Sequence, residues 1–184
     1  IEDERFSYFR KHIAASIKPV NAALLVELAK EYMVSDAQVL DPFCGVGTML
    51  IERQKAVKAN TSYGLDISAE AVAGAKLNTE AAGQIVHYIN RDFFTFEHEY
   101  LFDEIFTDMP FAMNDKVTLE LDNIYRRFFT CADRHLTMDG RIIIYSRNPQ
   151  MAVKYSKSAG YRILKRIVIS EKNNAELIIF EHEV

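Results

Sequence analysis

Gln38-Val39-Leu40-Asp41-Pro42-Phe43-Cys44-Gly45-Val46-Gly47-Thr48 is the stretch on which the fold turns. Gln38–Leu40 reads as a short buried strand ending at Asp41, and Thr48–Lys58 has the spacing of a helix. Between them lies a glycine-rich turn. In open α/β sheets, ligands bind beyond the carboxyl ends of the strands, so this turn is where a site belongs. Gly45 and Gly47 let the backbone turn tightly and approach a ligand without Cβ clashes. The spacing is neither G-x-x-x-x-G-K-S/T, which cradles nucleotide phosphates, nor the G-x-G-x-x-G pyrophosphate fingerprint. An aspartate at the strand end would repel a phosphate and suits a cationic ligand.

Working outward, strands and helices keep alternating. Pro19 suits a first helical turn, and residues 20–30 read as a helix. Ser62–Leu65 is a second strand ending at Asp66, followed by a helix over Ala69–Ala81 with Ser68 as N-cap and Gly83 just past its end. Ile85–Ile89 and Glu104–Thr107 are the third and fourth strands. Val117–Leu136 reads as a long helix with Leu121, Tyr125, Phe128, Ala132 and Leu136 on one stripe. Arg141–Tyr145 is a fifth strand, and Gln150–Ala159 a helix closed by Gly160. Tyr161–Ser170 and Ala175–Glu181 flank Glu171-Lys172-Asn173-Asn174, a hairpin turn. Five β/α units and a closing antiparallel pair predict one α/β domain over residues 1–184, with 1–35 as a helical lead-in. The expected architecture is Rossmann-like: a mixed seven-stranded sheet, a C-terminal antiparallel hairpin and helices on both faces. Most dinucleotide-binding folds continue instead with parallel strands.

Composition narrows the function. Of 184 residues, 49% are hydrophobic and 26% charged, the balance of an ordinary globular domain. No apolar run nears the roughly 18 residues of a membrane span, and the acidic start Asp3-Glu4-Arg5 is no signal peptide. The first residue is Ile1, so the sequence is expected to be part of something longer. Two cysteines, Cys44 and Cys131, and five scattered histidines form no CxxC or Cys/His cluster. That argues against a disulfide scaffold or zinc site and fits a reducing cytoplasm. Net charge is −4, which argues against holding nucleic acid by the domain's own basic surface. The charge is uneven: residues 1–110 carry 10 basic and 17 acidic side chains, and residues 111–184 carry 12 and 9.

Asp41-Pro42-Phe43-Cys44-Gly45-Val46-Gly47-Thr48-Met49-Leu50-Ile51-Glu52 resembles the first motif of class I RNA methyltransferases that usually carry an N-terminal THUMP domain. Ala15-Ser16-Ile17-Lys18-Pro19 and the antiparallel finish are similar to that family too, and the likeness runs through nearly the whole chain. The resemblance implies S-adenosylmethionine as cofactor, with S-adenosylhomocysteine as product and no metal. It implies an RNA substrate, tRNA or rRNA, and an RNA-binding domain upstream. It assigns the cofactor to Asp41, Phe43, Cys44, Gly45, Gly47, Thr48, Asp66, Ile67, Asp92 and Phe93. Asp66 follows the glycines by about 20 residues, where an acid can accept from ribose hydroxyls. Asp92 would accept from the adenine amino group, with the backbone of Phe93 against the ring.

Thr107-Asp108-Met109-Pro110-Phe111 closes the fourth strand and resembles the Asn/Asp/Ser-Pro-Pro-Tyr/Phe motif of amine-methylating enzymes. A base's exocyclic nitrogen is a poor nucleophile because its lone pair is delocalised into the ring. In that motif the first side chain and the next backbone carbonyl, here Asp108 and Met109, accept both N–H bonds and leave the lone pair facing the methyl group. Phe111 would stack on a base removed from its helix. Met109 stands where the motif has its first proline, acting through its carbonyl, and similar bulky versions occur among guanine-N2 enzymes. The expected reaction is therefore methylation of guanine N2. Adenine N6, a protein glutamine amide and a non-catalytic cofactor-binding scaffold remain the alternatives; the glycine spacing disfavours a nicotinamide-dependent dehydrogenase. No nucleophilic cysteine follows the fourth strand, and Cys131 falls mid-helix, as a packing residue would. Arg126-Arg127 and Lys165-Arg166 read as solvated faces before phosphate contacts. Asn148-Pro149 is a turn left without a role.

Overall fold

The strands are β1 (Gln38–Asp41), β2 (Thr61–Asp66), β3 (His87–Asn90), β4 (Phe102–Asp108), β5 (Leu136–Ser146), β6 (Tyr161–Ser170) and β7 (Ala175–His182). They come from a computed structural model that describes residues 3–112 and 118–184. One seven-stranded sheet holds them in the order β3-β2-β1-β4-β5-β7-β6. The first five run parallel, and β7 is antiparallel to both β5 and β6. The mixed sheet with its reversed closing pair is the architecture the sequence predicts.

Helices α1 (Pro19–Ala29), α2 (Thr48–Ala56) and α3 (Ala69–Ala81) cover one face, and α4 (Leu119–Asp133) and α5 (Pro149–Ser158) the other. The central strands feed both cores by simple alternation. Val39, Phe106, Ile143, Leu177 and Ile179 pack under α1–α3, while Leu40, Ile105, Ile144, Ile178 and Phe180 pack under α4 and α5. Strands buried on both faces need continuous apolar runs, which is why Ile142-Ile143-Ile144 and Leu177-Ile178-Ile179-Phe180 are written as they are. Capping fixes the helix starts. Ser68 Oγ accepts from Ala71 N at 3.2 Å, and Thr118 Oγ1 accepts from Leu121 N at 3.1 Å.

A buried ion pair ties α2 to the sheet. Arg53 donates to Glu104 on β4 through Nε at 3.0 Å and Nη2 at 2.9 Å, and to the carbonyls of Val34 and Val57. With its N–H groups so occupied, a charge that would be costly to bury is satisfied on every side.

Several boundaries differ from the sequence reading. Leu136 is not the last residue of the α4 stripe; it opens β5. Phe102 N donates to the His135 carbonyl at 2.7 Å and Phe102 pairs with Leu136, so sheet pairing overrides the helical spacing. Residue 117, the expected helix start, lies outside the described residues, and α4 begins behind Thr118. Ile85 lies outside β3, exposed, because pairing with β2 starts only at Tyr63↔His87.

The chain steps outward from β1 to β2 and β3, then returns to β1's other side with β4. That reversal is a topological switch point, and it leaves a crevice at the carboxyl ends of β1 and β4.

Candidate active site at the ends of β1 and β4

A cavity of about 520 Å³ occupies this crevice. Its wall includes the turn after β1, the tips of β2 and β3, and residues 108–111 after β4. Of the residues singled out from sequence, Phe43, Cys44, Gly45, Thr48, Asp66, Ile67, Asp92, Phe93, Asp108, Met109, Pro110 and Phe111 all line it. Asp41 and Gly47 stand behind the wall.

The β1–β2 side is built from backbone donors and carboxylates. Cys44 N donates to the Leu65 carbonyl at 2.8 Å, which sews the turn to β2. Gly45 N donates to Asp66 Oδ2 at 3.0 Å, and Ser68 N to Asp66 Oδ1 at 2.8 Å. Asp66 is thereby locked in direction, with a lone pair left on each oxygen for a diol. Asp92 caps a short 3-10 turn, Phe93–Thr95, accepting from Phe94 N at 2.9 Å. Ile67 is exposed at the rim, 77% accessible, and Phe43 meets the buried Phe93 edge-on with ring centroids 6.0 Å apart. The rim therefore offers apolar surface for a flat ring between two carboxylates.

Asp41 is fully buried. Thr107 Oγ1 donates to its Oδ1 at 2.6 Å, Phe43 N donates to the same oxygen at 3.1 Å, and Oδ2 has no partner among the described residues. Burial pushes its carboxyl up to about 8, and the nearby Asp108 and Asp66 charges act in the same direction. At neutral pH it is mostly protonated, so it shapes the turn more than it presents charge to a ligand. Gly47, at φ +86°, starts α2 in a left-handed conformation, and a Cβ there would lie 2.3 Å from Tyr88 Oη. Cys44 is buried, and burial raises its thiol well above the usual range, as expected of an inert cysteine.

On the β4 side, Met109 N donates to the Tyr145 carbonyl at 2.9 Å, which holds the motif against β5. The Met109 side chain is buried in the α4 core, consistent with a residue that works through its backbone. Asp108 Oδ1 is buried and finds no hydrogen-bond partner among the described residues. Burial pushes the Asp108 carboxyl up to about 7, opposed by the charge of Arg147. Phe111 faces the cavity, and the Arg147 guanidinium lies 3.7 Å from its ring centroid.

Several wall residues went unassigned in the sequence. Residues 13–17 close one flank, pinned by Ile13 N donating to Ser16 Oγ at 2.9 Å and bent at Ala15, φ +66°. Arg127 of α4 lies 4.2 Å over the Phe94 ring on the opposite flank, beside Asn123 and Glu120. A pair of adjacent arginines was visible; that one of them stacks on a ring beyond β3 was not. Arg166 instead pairs with Glu176 across β6–β7, as a strand face would. Cys131 Sγ contacts the Phe93 carbonyl at 3.4 Å inside the core.

Orphaned buried oxygens on Asp108 and Thr48, a turn whose Gly45 has no atom within 4 Å of a would-be Cβ, and a directed carboxylate at Asp66 suit a polar, positively charged nucleoside. These features fit S-adenosylmethionine. Among the described residues, no group of His, Cys, Asp or Glu is placed to hold a metal ion, and no helix is long and apolar enough to cross a membrane.

A family model for the RMKL-like methyltransferase domain matches residues 8–170. The chain belongs to that family. Its fold is that of the class I, S-adenosylmethionine-dependent methyltransferases. TrmN from Thermus thermophilus superimposes with a TM-score of 0.78 at 21% identity, over 97% of this chain and 52% of that one. A predicted N6-adenine-specific DNA methylase from Listeria monocytogenes gives 0.73 at 17% identity, over 98% and 55%. In sequence, a tRNA (guanine(10)-N2)-dimethyltransferase from Pyrococcus abyssi is 26% identical over 155 residues, 82% of this chain and 45% of that protein. The chain thus spans about half the length of these relatives.

Proposed function

We propose that this methyltransferase domain modifies an exocyclic amine of a base in RNA, guanine N2 of tRNA or rRNA before any other. The observation that carries the reading is the placement of Asp108, Met109 and Phe111 on one wall of a cavity whose other wall carries Gly45, Asp66 and Asp92. S-adenosylmethionine, when bound, supplies a methyl group made electrophilic by a sulfonium. Asp66 would take the ribose hydroxyls, Asp92 and the Phe93 backbone the adenine, and the turn with Phe43, Cys44, Gly45 and Thr48 the remainder.

The protein's own residues then do three things. Asp108 and the Met109 carbonyl accept the two N–H bonds of the target amine, so its lone pair faces the cofactor side. Such orientation is worth roughly 7–11 kcal/mol of barrier. Phe111 stacks on the extruded base, at about 1–3 kcal/mol. No proton leaves first, because the nitrogen becomes acidic only after methylation; Asp108 takes it then. A carboxyl near 7 suits that exchange at neutral pH.

RNA is supported by the name of the Pyrococcus abyssi relative and by the sequence resemblance. The net charge of −4 supports a division in which a THUMP-type segment of the full protein supplies affinity for RNA. Adenine N6 is the second reading, supported by the Listeria monocytogenes structure and by the same two-acceptor geometry. Incubating bulk RNA, DNA and protein with labelled cofactor separates the two, and nucleoside mass spectrometry on RNA from cells with and without the protein names the base. Label in DNA as N6-methyladenine, with RNA inert, would overturn the first reading.

A further inference from the structure

Phe111 and Asp108 both owe part of their setting to a residue from another loop. Arg147 follows β5 directly, and its guanidinium lies 3.7 Å from the Phe111 ring centroid and 5.5 Å from that of Tyr145. Phe111 lines the cavity, Arg147 is not among the lining residues, and the guanidinium covers one face of the ring. Its Nη1 is buried and without a hydrogen-bond partner among the described residues, as is Asp108 Oδ1; these two opposite unsatisfied groups are not paired to each other.

The turn that carries Arg147 is itself fixed. Tyr125 and Ser146 hydroxyls are 2.6 Å apart, Asn148 N donates to Ser146 Oγ at 2.9 Å, and Pro149 starts α5 immediately after. Arg147 is therefore held in place by the core, and its stack on Phe111 is no chance surface contact.

We propose that Arg147 is a positioning residue of the amine site, bracing the Phe111 ring and setting the electrostatic surroundings of the neighbouring Asp108. A planar cation on a ring face is a strong stacking partner that leaves the other face to a base. Around Asp108, Asp41 on β1 and Tyr125 of α4 are largely neutral, and Glu120 and Arg127 of α4 share the cavity. Arg147 is the cation that acts on Asp108 among the described residues; Asp115 and Lys116 lie outside them. The catalytic consequence rests on the amine-transfer reading, whereas the effect on Asp108 does not.

The test is therefore read first without substrate. Side-chain carboxyl carbons are followed by NMR as a function of pH in the wild type, Arg147→Gln and Arg147→Lys, with Asp108→Asn assigning the signal. Losing a nearby opposite charge should move the Asp108 midpoint up by roughly half to one unit in Arg147→Gln, and Arg147→Lys should restore most of it. An unmoved midpoint in Arg147→Gln, with S-adenosylhomocysteine still bound, overturns the proposal. Methylation of bulk RNA is read second. At pH 7 the upward shift should lower the charged fraction of Asp108, and with it kcat, roughly two- to fivefold. Arg147→Lys should keep the wild-type acid limb and raise KM through the lost planar stack. RNA left unmodified by the wild type would overturn the functional reading while the carboxyl titration still decides the role of Arg147.

Discussion

Exchanging Gly47 for alanine should damage the fold, whereas the same change at Gly45 should damage the site. At Gly47, φ is +86° and the added Cβ would sit 2.3 Å from Tyr88 Oη and 3.1 Å from Tyr88 Cζ. Tyr88 is buried, and its hydroxyl is 2.7 Å from Thr79 Oγ1, a bond that must break if the ring moves. A left-handed alanine costs about 1–2 kcal/mol, overpacking about 1–3 kcal/mol, and an orphaned buried hydroxyl about 1–3 kcal/mol. Since moving the ring relieves the clash only by orphaning the hydroxyl, the last two are alternatives in part. A loss of about 3–5 kcal/mol is expected, or roughly 6–20 °C in a domain of this size. Gly45, at φ +52°, has open space around a would-be Cβ, so Gly45→Ala should lose only about 1–2 kcal/mol of stability. Because that Cβ projects from the cavity wall, its larger effect should be on S-adenosylhomocysteine. Urea unfolding gives the stability and calorimetry the affinity. Equal destabilisation of the two variants would refute the packing argument, and unaltered affinity in Gly45→Ala would remove the turn from the cofactor site.

Asp66→Ala should leave the midpoint of unfolding within a few degrees and weaken S-adenosylhomocysteine at least tenfold by calorimetry; unchanged affinity would take Asp66 out of the site. Asp108→Ala should abolish methylation yet retain S-adenosylhomocysteine, and a still active variant would mean the amine is held otherwise. Because the Asp108 carboxyl lies near 7 and only its ionised form accepts both ways, wild-type activity should fall as pH drops below about 7 and level off above it. In Asp108→Asn any residual activity should lack that acid limb. Phe111→Ala should raise KM for RNA with little change in cofactor affinity, and the reverse pattern would place the ring in the cofactor pocket. Arg53→Met should cost about 3–5 kcal/mol in urea unfolding, because Glu104 would be left buried and unpaired; a neutral result would mean that Glu104 protonates without penalty.

The order of elements was legible because strands buried on two faces must be continuously apolar, and the turns between them carry Gly, Pro, Ser and Asp at fixed places. Ser68 and Thr118 show this locally, since each spells a helix start that the hydrogen bonds then make. The ends of elements were less so. Leu136 keeps perfect helical phase with Ala132, and only its partner Phe102, far away in sequence, draws it into a strand. The site divided the same way. Residues following a strand along the chain, such as Asp66 and Asp108, announce themselves by position. Arg147 could not, because its meaning depends on a ring from another loop, and no spacing rule links the two. The depth of Asp41 was equally hidden: an acid at a strand tip suggests charge, and only Thr107 packed over it reveals a group that burial keeps largely neutral.

The switch point between β1 and β4 splits the rim by ownership. In the proposed reading, the groups that would meet a methyl donor trail β1, β2 or β3, while the amine-facing groups trail β4 and β5 on the far side of the seam. A lineage could thus exchange one clientele for another by rewriting two adjacent loops, with the half that holds the shared reagent left untouched.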